Sequence, residues 1–396
     1  MQGPFYFEIN SIISKIKIGD NMSYERVANK RKRKPKKKRK WYVTIFKVLF
    51  SIVSVILIFG IVILSFFTVV EYRPRPLEEV EIKLNQTNKI TIGDEYQALT
   101  FNIGYGALGK DEDFVMDGGK KGVPDSKEVV VGYLNGIKGI LDDNPSDIYL
   151  LQEVDLKSRR SYKIDQAELF SNHLGASFNH SFAYNYKALF VPFPFSFTNY
   201  MGRVESGIQT LSSFSSNNAE RHQFPGAFSW PVRTVNLKRG MLVNYLPIEG
   251  SDKLLVLVNL HMSAYDTGTL REQEMKYLKD FMTAEYNKGN YVLVGGDFNQ
   301  TFPSVTDAIQ ENDYFTPIKI EEGYLGDNFM FAVDPNVYTS RLLNQPYNPT
   351  DTENTYHFII DGFIVSKNIE IIEVLGLNLG FVHSDHNPVK LRFKLN

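Results

Sequence analysis

VLVGGDFNQ, Val292 to Gln300, decides the fold of this chain. The short apolar run that it continues, Tyr291 to Gly295, reads as a strand. The polar residues just past it, Asp297 and Asn299, sit where loops carry chemistry. Working outward, Leu270, Tyr277, Leu278, Phe281 and Met282 stripe a helix, and Lys253 to Met262 reads as another buried strand. Tyr96 to Ile103 and Asp147 to Val154 are strand-like, and Val130, Leu134, Ile137 and Leu141 place a helix over Lys127 to Leu141. Strands follow at Phe358 to Ser366, Ile369 to Val374 and Pro388 to Lys394. Mixed strands and helices without a repeat argue one α/β domain over 90–396.

The same pattern of polar residues at the ends of apolar runs recurs. LTFNIG carries Asn102, DIYLLQEVD carries Glu153, LVLVNLHM carries His261, and HSDHNP carries Asp385 and His386. FIIDGFIVS places Asp361 in the middle of an otherwise apolar strand, where a carboxylate is costly without a partner. A histidine that it orients is the economical one. Singly, each residue also fits a structural role: Asn102 closing a turn, Glu153 capping a strand, Asp297 in a loop, His261 in a core. Together, Asn and Glu oxygens suit Mg²⁺ or Mn²⁺ and not zinc, which prefers nitrogen and sulfur. Asp beside His supplies proton transfer. The inventory matches hydrolysis of a phosphate ester by a metal-activated water.

In this order the motifs resemble those of the endonuclease/exonuclease/phosphatase superfamily, the deoxyribonuclease-like metal-dependent phosphoesterases. GDFN (Gly296 to Asn299) and SDHNP (Ser384 to Pro388) carry the likeness as a pair; it covers roughly Tyr96 to Asn396. The resemblance implies a four-layer α/β sandwich, two packed mixed sheets flanked by helices, with the site at one end. It implies a metal at Glu153, with Asn102 beside it and Asp385 as a metal-side carboxylate. Asp297 would position the attacking water and Asn299 would bind phosphate. His386, oriented by Asp361, and His261 would act as an acid–base pair whose roles stay open. Glu205 would orient His261. Arg159, Arg160, Arg203 and Asn185 are candidate phosphate or headgroup contacts.

Val48 to Val70 is 23 residues without a charge, 18 of them Val, Ile, Leu or Phe. As a helix it extends roughly 34 Å, enough for a hydrocarbon core of about 30 Å. Insertion is favoured by about 5 to 11 kcal/mol on a per-residue scale. Eleven Lys/Arg lie in the twenty residues before it and four in the twenty after, which puts residues 1–47 inside and the catalytic domain outside the cell membrane. No small-x-small cleavage site follows, so the span reads as an uncleaved anchor. The basic run Lys30 to Lys40 reads as topology signal and anionic-lipid contact, residues 71–89 as a stalk, and Met22 as an alternative start.

The formal net charge of −1 hides an asymmetry. Up to Lys47 there are 14 basic and three acidic residues; beyond it there are 30 basic and 42 acidic, a net of −12. An acidic domain lacks the nonspecific attraction that drives most nucleic-acid binding. The absence of cysteine excludes disulfides, thiolate metal sites and thiol nucleophiles; with the Lys-, Asn- and Ile-rich usage it fits an exported bacterial protein of the Gram-positive type. The aromatic stretches LFVPFPFSFTNY (Leu189 to Tyr200) and QFPGAFSWP (Gln223 to Pro231) read either as a lip touching lipid or a base, or as loop residues packed on the sandwich. A phosphoesterase at the outer face is the leading expectation, with an extracellular nuclease and a catalytically idle adhesion domain as alternatives.

Overall fold

Along the strand Leu254–His261, successive side chains enter two different cores. Leu255 and Leu257 pack between two sheets, whereas Val256 and Val258 pack under the helix Thr269–Asn287. This alternation, with both faces apolar, is what the uninterrupted hydrophobic run encodes. The computed structural model describes residues 40–264, 269–307 and 309–396.

Two seven-stranded sheets form the middle layers. One runs, edge to edge, Leu77–Glu79, Asn218–Gln223, Gly240–Pro247, Leu254–His261, Tyr291–Asp297, Asp361–Ser366 and Phe329–Ala332. The other runs Ile369–Gly376, Val389–Leu395, Glu95–Asn102, Ile148–Asp155, Gly202–Ser212, Asn179–Val191 and Ile82–Lys83. Both are mixed, because Tyr291–Asp297 pairs in parallel with Leu254–His261 and Glu95–Asn102 with Ile148–Asp155. Leu150, Leu257, Leu293, Phe363 and Leu391 fill the space between them.

Helices cover the outer faces. Thr269–Asn287 buries Met275, Leu278 and Met282 on the first sheet, each contributing about 1.5 to 3 kcal/mol. Lys127–Asp143 and Gln166–Leu174 cover the second, burying Val130, Leu134, Ile137, Leu141 and Phe170. Each of these two begins at a side-chain cap: Ser126 Oγ accepts from Val129 N at 3.4 Å, and Asp165 Oδ1 from Glu168 N at 3.0 Å. Helix, sheet, sheet, helix is the four-layer sandwich that the resemblance implies.

The apolar span lies within one helix, Trp41–Val70, which begins seven residues before the uncharged run and buries none of its side chains. It is long and apolar enough to cross a membrane, with a mean hydropathy of 3.0. The basic run through residue 39 and the Met22 start lie outside the described residues.

Two expectations change. Residues 71–89, read as a stalk, supply an edge strand to each sheet: Leu77 pairs with His222, and Ile82 with Ser181. Strands of two or three residues have no periodicity to show, and backbone pairing alone holds them. Asp361 does not lie mid-strand; it is the first residue of Asp361–Ser366, and Phe358 belongs to a separate two-residue strand. A carboxylate at a strand start reaches the end of the sandwich, which the strand interior would not allow.

Candidate active site

Strand register assembles most of the site. In the first sheet Asp297 lies directly beside His261 on one neighbour and Asp361 on the other, so three chemically able residues stand in one row. In the second sheet Asn102 lies beside Gln152, the residue before Glu153. A register shift between Leu151 and Val154, with Glu153 at φ +55°, lifts that glutamate out of strand alternation. Asn299 also has positive φ, +50°, a conformation that asparagine tolerates. Gly296 before them has no substitute: a Cβ there would lie 2.1 Å from the Leu260 carbonyl oxygen. The Gly-Gly of the opening motif is therefore a packing requirement of the strand that delivers Asp297.

Hydrogen bonds then fix the side chains. Asn102 Nδ2 donates to Asp297 Oδ2 at 3.0 Å and lies 3.4 Å from His386 Nε2. Asp297 Oδ1 accepts from Asn299 N at 2.9 Å, and Oδ2 lies 3.3 Å from His261 Nε2. His386 Nδ1 is 2.8 Å from Asp361 Oδ2, while its Nε2 is 3.3 Å from Ser340 Oγ. Ser384 Oγ ties Asn102 O, at 2.8 Å, to Asp385 Oδ1, at 3.3 Å. Beneath them, Gln152 Nε2 donates across the two sheets to Asn259 Oδ1 at 2.8 Å, locking the layers together.

Electrostatics separate the two histidines. Burial would push His386 down, but the carboxylates of Asp361, held against Nδ1, and of Asp385 and Asp297 together outweigh it and lift the ring to about 10. Burial pushes His261 well below its usual value, helped by Arg239, His386 and Arg160, so it is neutral despite its carboxylate neighbours. Asp297 is pushed up to about 6 by burial and by Asp361. Asp385 is pushed up to about 7 by burial and by the Glu153 charge, against the pull of His386.

Among the described residues, Asp297, Asp361 and His386 bring potential ligand atoms within 4.8 Å of one another, whereas the resemblance implies a metal at Asn102, Glu153 and Asp385. A protonated imidazole has no lone pair to give, so the trio fits proton handling better than metal binding. Glu153, Asn102 and Asp385 line the same cavity, and the acidic pair among them, one member already pushed towards neutrality, is a setting that a divalent cation would neutralise. Their oxygen donors fit Mg²⁺ or Mn²⁺.

These residues line a cavity of about 530 Å³, with His261, Asn299, Asn185 and Arg160. Asn185 is buried with neither side-chain polar atom partnered, so its amide has capacity for a ligand. Arg160 is held by Asp155 at 2.9 Å and 3.1 Å, with its guanidinium 3.6 Å from the centre of the Tyr105 ring. The other expected contacts fall away. Arg159 donates to the carbonyls of Tyr200 and Thr198 and lines a separate cavity with Lys121 and Tyr162. Arg203 pairs with Glu205, and no hydrogen bond joins Glu205 to His261 among the described residues. Glu205 is turned instead to its neighbour two residues back on the same strand face. Ser340, Arg239 and Gln152 were not singled out in the sequence; Ser340 lies in a two-residue strand with no pattern to mark it.

The fold is that of endonuclease/exonuclease/phosphatase proteins. The chain is similar to a crystal structure of such a protein from Beutenbergia cavernae, at 15% identity over 76% of this chain and 72% of that one, with a TM-score of 0.51. Looser likenesses are to a family protein from Leptotrichia buccalis (12% identity, 76% and 100% covered, TM-score 0.48) and to the human Nocturnin catalytic domain with bound sulfate (16%, 80% and 98%, 0.47). No family model and no curated protein matches the sequence.

Proposed function

We propose that the chain is a divalent-metal-dependent hydrolase of phosphoric esters, held at a membrane by the helix Trp41–Val70 with its catalytic domain on the extracytoplasmic side. The observation that carries this reading is the convergence of Asp297, His261 and the Asp361–His386 pair with Asn102, Glu153 and Asp385 at one cavity. Glu153, with Asn102 and Asp385, would hold the cation, which would supply Lewis-acid polarisation of a phosphoryl oxygen. Asp297, fixed by Asn102 and Asn299 N–H, accepts the proton of the attacking water. His386, protonated against Asp361, donates through Nε2 to the phosphoryl oxygens or the leaving group. Neutral His261 faces Asp297 and exchanges protons with it. Asn185 adds an amide for the phosphate.

Orientation rests on the excess of basic residues before the helix. A panel of phosphomonoesters, phosphodiesters and DNA offered to the full-length protein with Mg²⁺, Mn²⁺, Ca²⁺ or chelator tests the activity, with Asp297→Ala and His386→Ala as controls. Metal-dependent turnover that both variants abolish is expected. Turnover of DNA alone would favour the nuclease reading, and no turnover of any ester would favour an idle binding domain.

A further inference from the structure

Much of the cavity wall is apolar, which the chemistry of a phosphoryl group does not require. Val191, Phe193, Met201, Val232, Val235 and Leu237 face the same space as Glu153 and His386. The apolar wall continues outward: the Phe193 ring packs edge-on against Phe195, with centroids 6.1 Å apart. Phe195 is 88% exposed and Phe197 fully so, with Trp230 half exposed. Large aromatics left in water on the two segments that wall the cavity mark a contact surface, and Phe and Trp side chains of this kind enter the membrane–water boundary.

A second observation says which surface. Trp230 Nε1 donates to Thr68 Oγ1, in the last turn of the apolar helix, at 3.0 Å. Lys238 Nζ lies 2.9 Å from Glu71 Oε1, whose side chain is 3% exposed although it directly follows the helix. The segment from Trp230 to Lys238 therefore does two things. It grips the chain where it leaves the apolar helix, and through Val232, Val235 and Leu237 it walls the cavity. The passage from aromatic lip to catalytic groups begins beside the point where the polypeptide leaves the span.

From this continuity we infer that the substrate is a membrane phospholipid, its phosphate at the catalytic residues and its apolar chains in the passage formed by Val191 to Met201 and Val232 to Leu237. The inference rests on the reading of the site as a phosphoesterase. Bases also stack on aromatics, but the net charge of −12 beyond Lys47 repels a polyanion that lacks an apolar part.

The test uses the full-length protein reconstituted with Mg²⁺ into vesicles of phosphatidylglycerol and phosphatidylcholine, reading released headgroup or phosphate. Parallel arms offer the soluble diester bis(p-nitrophenyl) phosphate and a DNA oligonucleotide. Phe195→Ser with Phe197→Ser removes two rings that lie almost wholly in solvent. Hydrolysis of the vesicle lipid is expected, with the double variant losing at least about tenfold more on lipid than on the soluble diester. Hydrolysis of the soluble diester or DNA without lipid turnover, or equal losses on both, would overturn the lipid assignment and leave the phosphoesterase standing. No turnover in any arm would overturn both.

Discussion

Replacing Asp361 by Asn removes one charge and almost no volume. Asp361 is 1% exposed, and its Oδ2 lies 2.8 Å from His386 Nδ1. Its charge is the largest influence opposing burial, and it helps to lift His386 to about 10. In Asp361→Asn burial is opposed only by Asp385 and Asp297, and the ring titrates far lower. A ring neutral at working pH has no proton to donate from Nε2, and positioned acid–base groups contribute about 10²–10⁴-fold. We expect kcat/KM for a soluble phosphodiester to fall at least about 100-fold, or about 3 kcal/mol of barrier. Stability supplies an independent reading. With the folded pKa of His386 above its unfolded value, its contribution is complete below about 6.5 and is lost as pH rises through about 10. Denaturation midpoints of the metal-free protein should therefore decline between pH 7 and 10, with this slope reduced in the variant. The assays are steady-state hydrolysis with Mg²⁺, the chemical shift of the His386 ring against pH, and denaturant melts. A loss below about threefold, or a ring that still titrates near 10, would refute the reasoning.

Four further outcomes follow from the geometry. Gly296→Ala should destabilise the domain by at least about 2 kcal/mol, because its Cβ meets the Leu260 carbonyl oxygen at 2.1 Å; an unchanged urea midpoint would contradict the strand's role. At saturating Mg²⁺, which keeps Asp385 ionised, activity should fall as pH drops through about 6 or lower, where Asp297 takes up a proton; a limb well above 6 in that pH–rate profile would exclude Asp297 as the acceptor. Glu153→Gln should weaken Mg²⁺ at least about tenfold in a metal titration followed by activity, and chelator should abolish turnover of the unaltered protein. Deleting residues 1–70 should move the protein from the membrane fraction to the soluble one, and retention at the membrane would contradict the anchor.

The domain's layers were legible because the buried strands are written as unbroken apolar runs and the covering helices as stripes. Leu254–His261, Tyr291–Asp297 and Lys127–Asp143 lie within a few residues of their expected limits. The edge strands Leu77–Glu79 and Ile82–Lys83 were not, since two or three residues paired through backbone leave no pattern. Glu205 and Arg159 show the same limit for the site. Each lies in sequence near residues that line the cavity, yet its side chain is taken by Arg203 or by the carbonyls of Thr198 and Tyr200.

The sequence by itself determined which residues could do the chemistry, because carboxylates, amides and imidazoles at the ends of apolar runs have few other reasons to be buried. It also determined a helix long and apolar enough to cross a membrane, a property that length and composition alone specify. Only the tertiary structure decided their partners. Parallel and antiparallel register put Asp297 between His261 and Asp361, and Asp361 against His386 set which imidazole is charged. It also joined Trp230 and Lys238 to the helix exit, with Val232, Val235 and Leu237 between them in the cavity wall. Such contacts link residues far apart in the chain, and local periodicity carries no record of them.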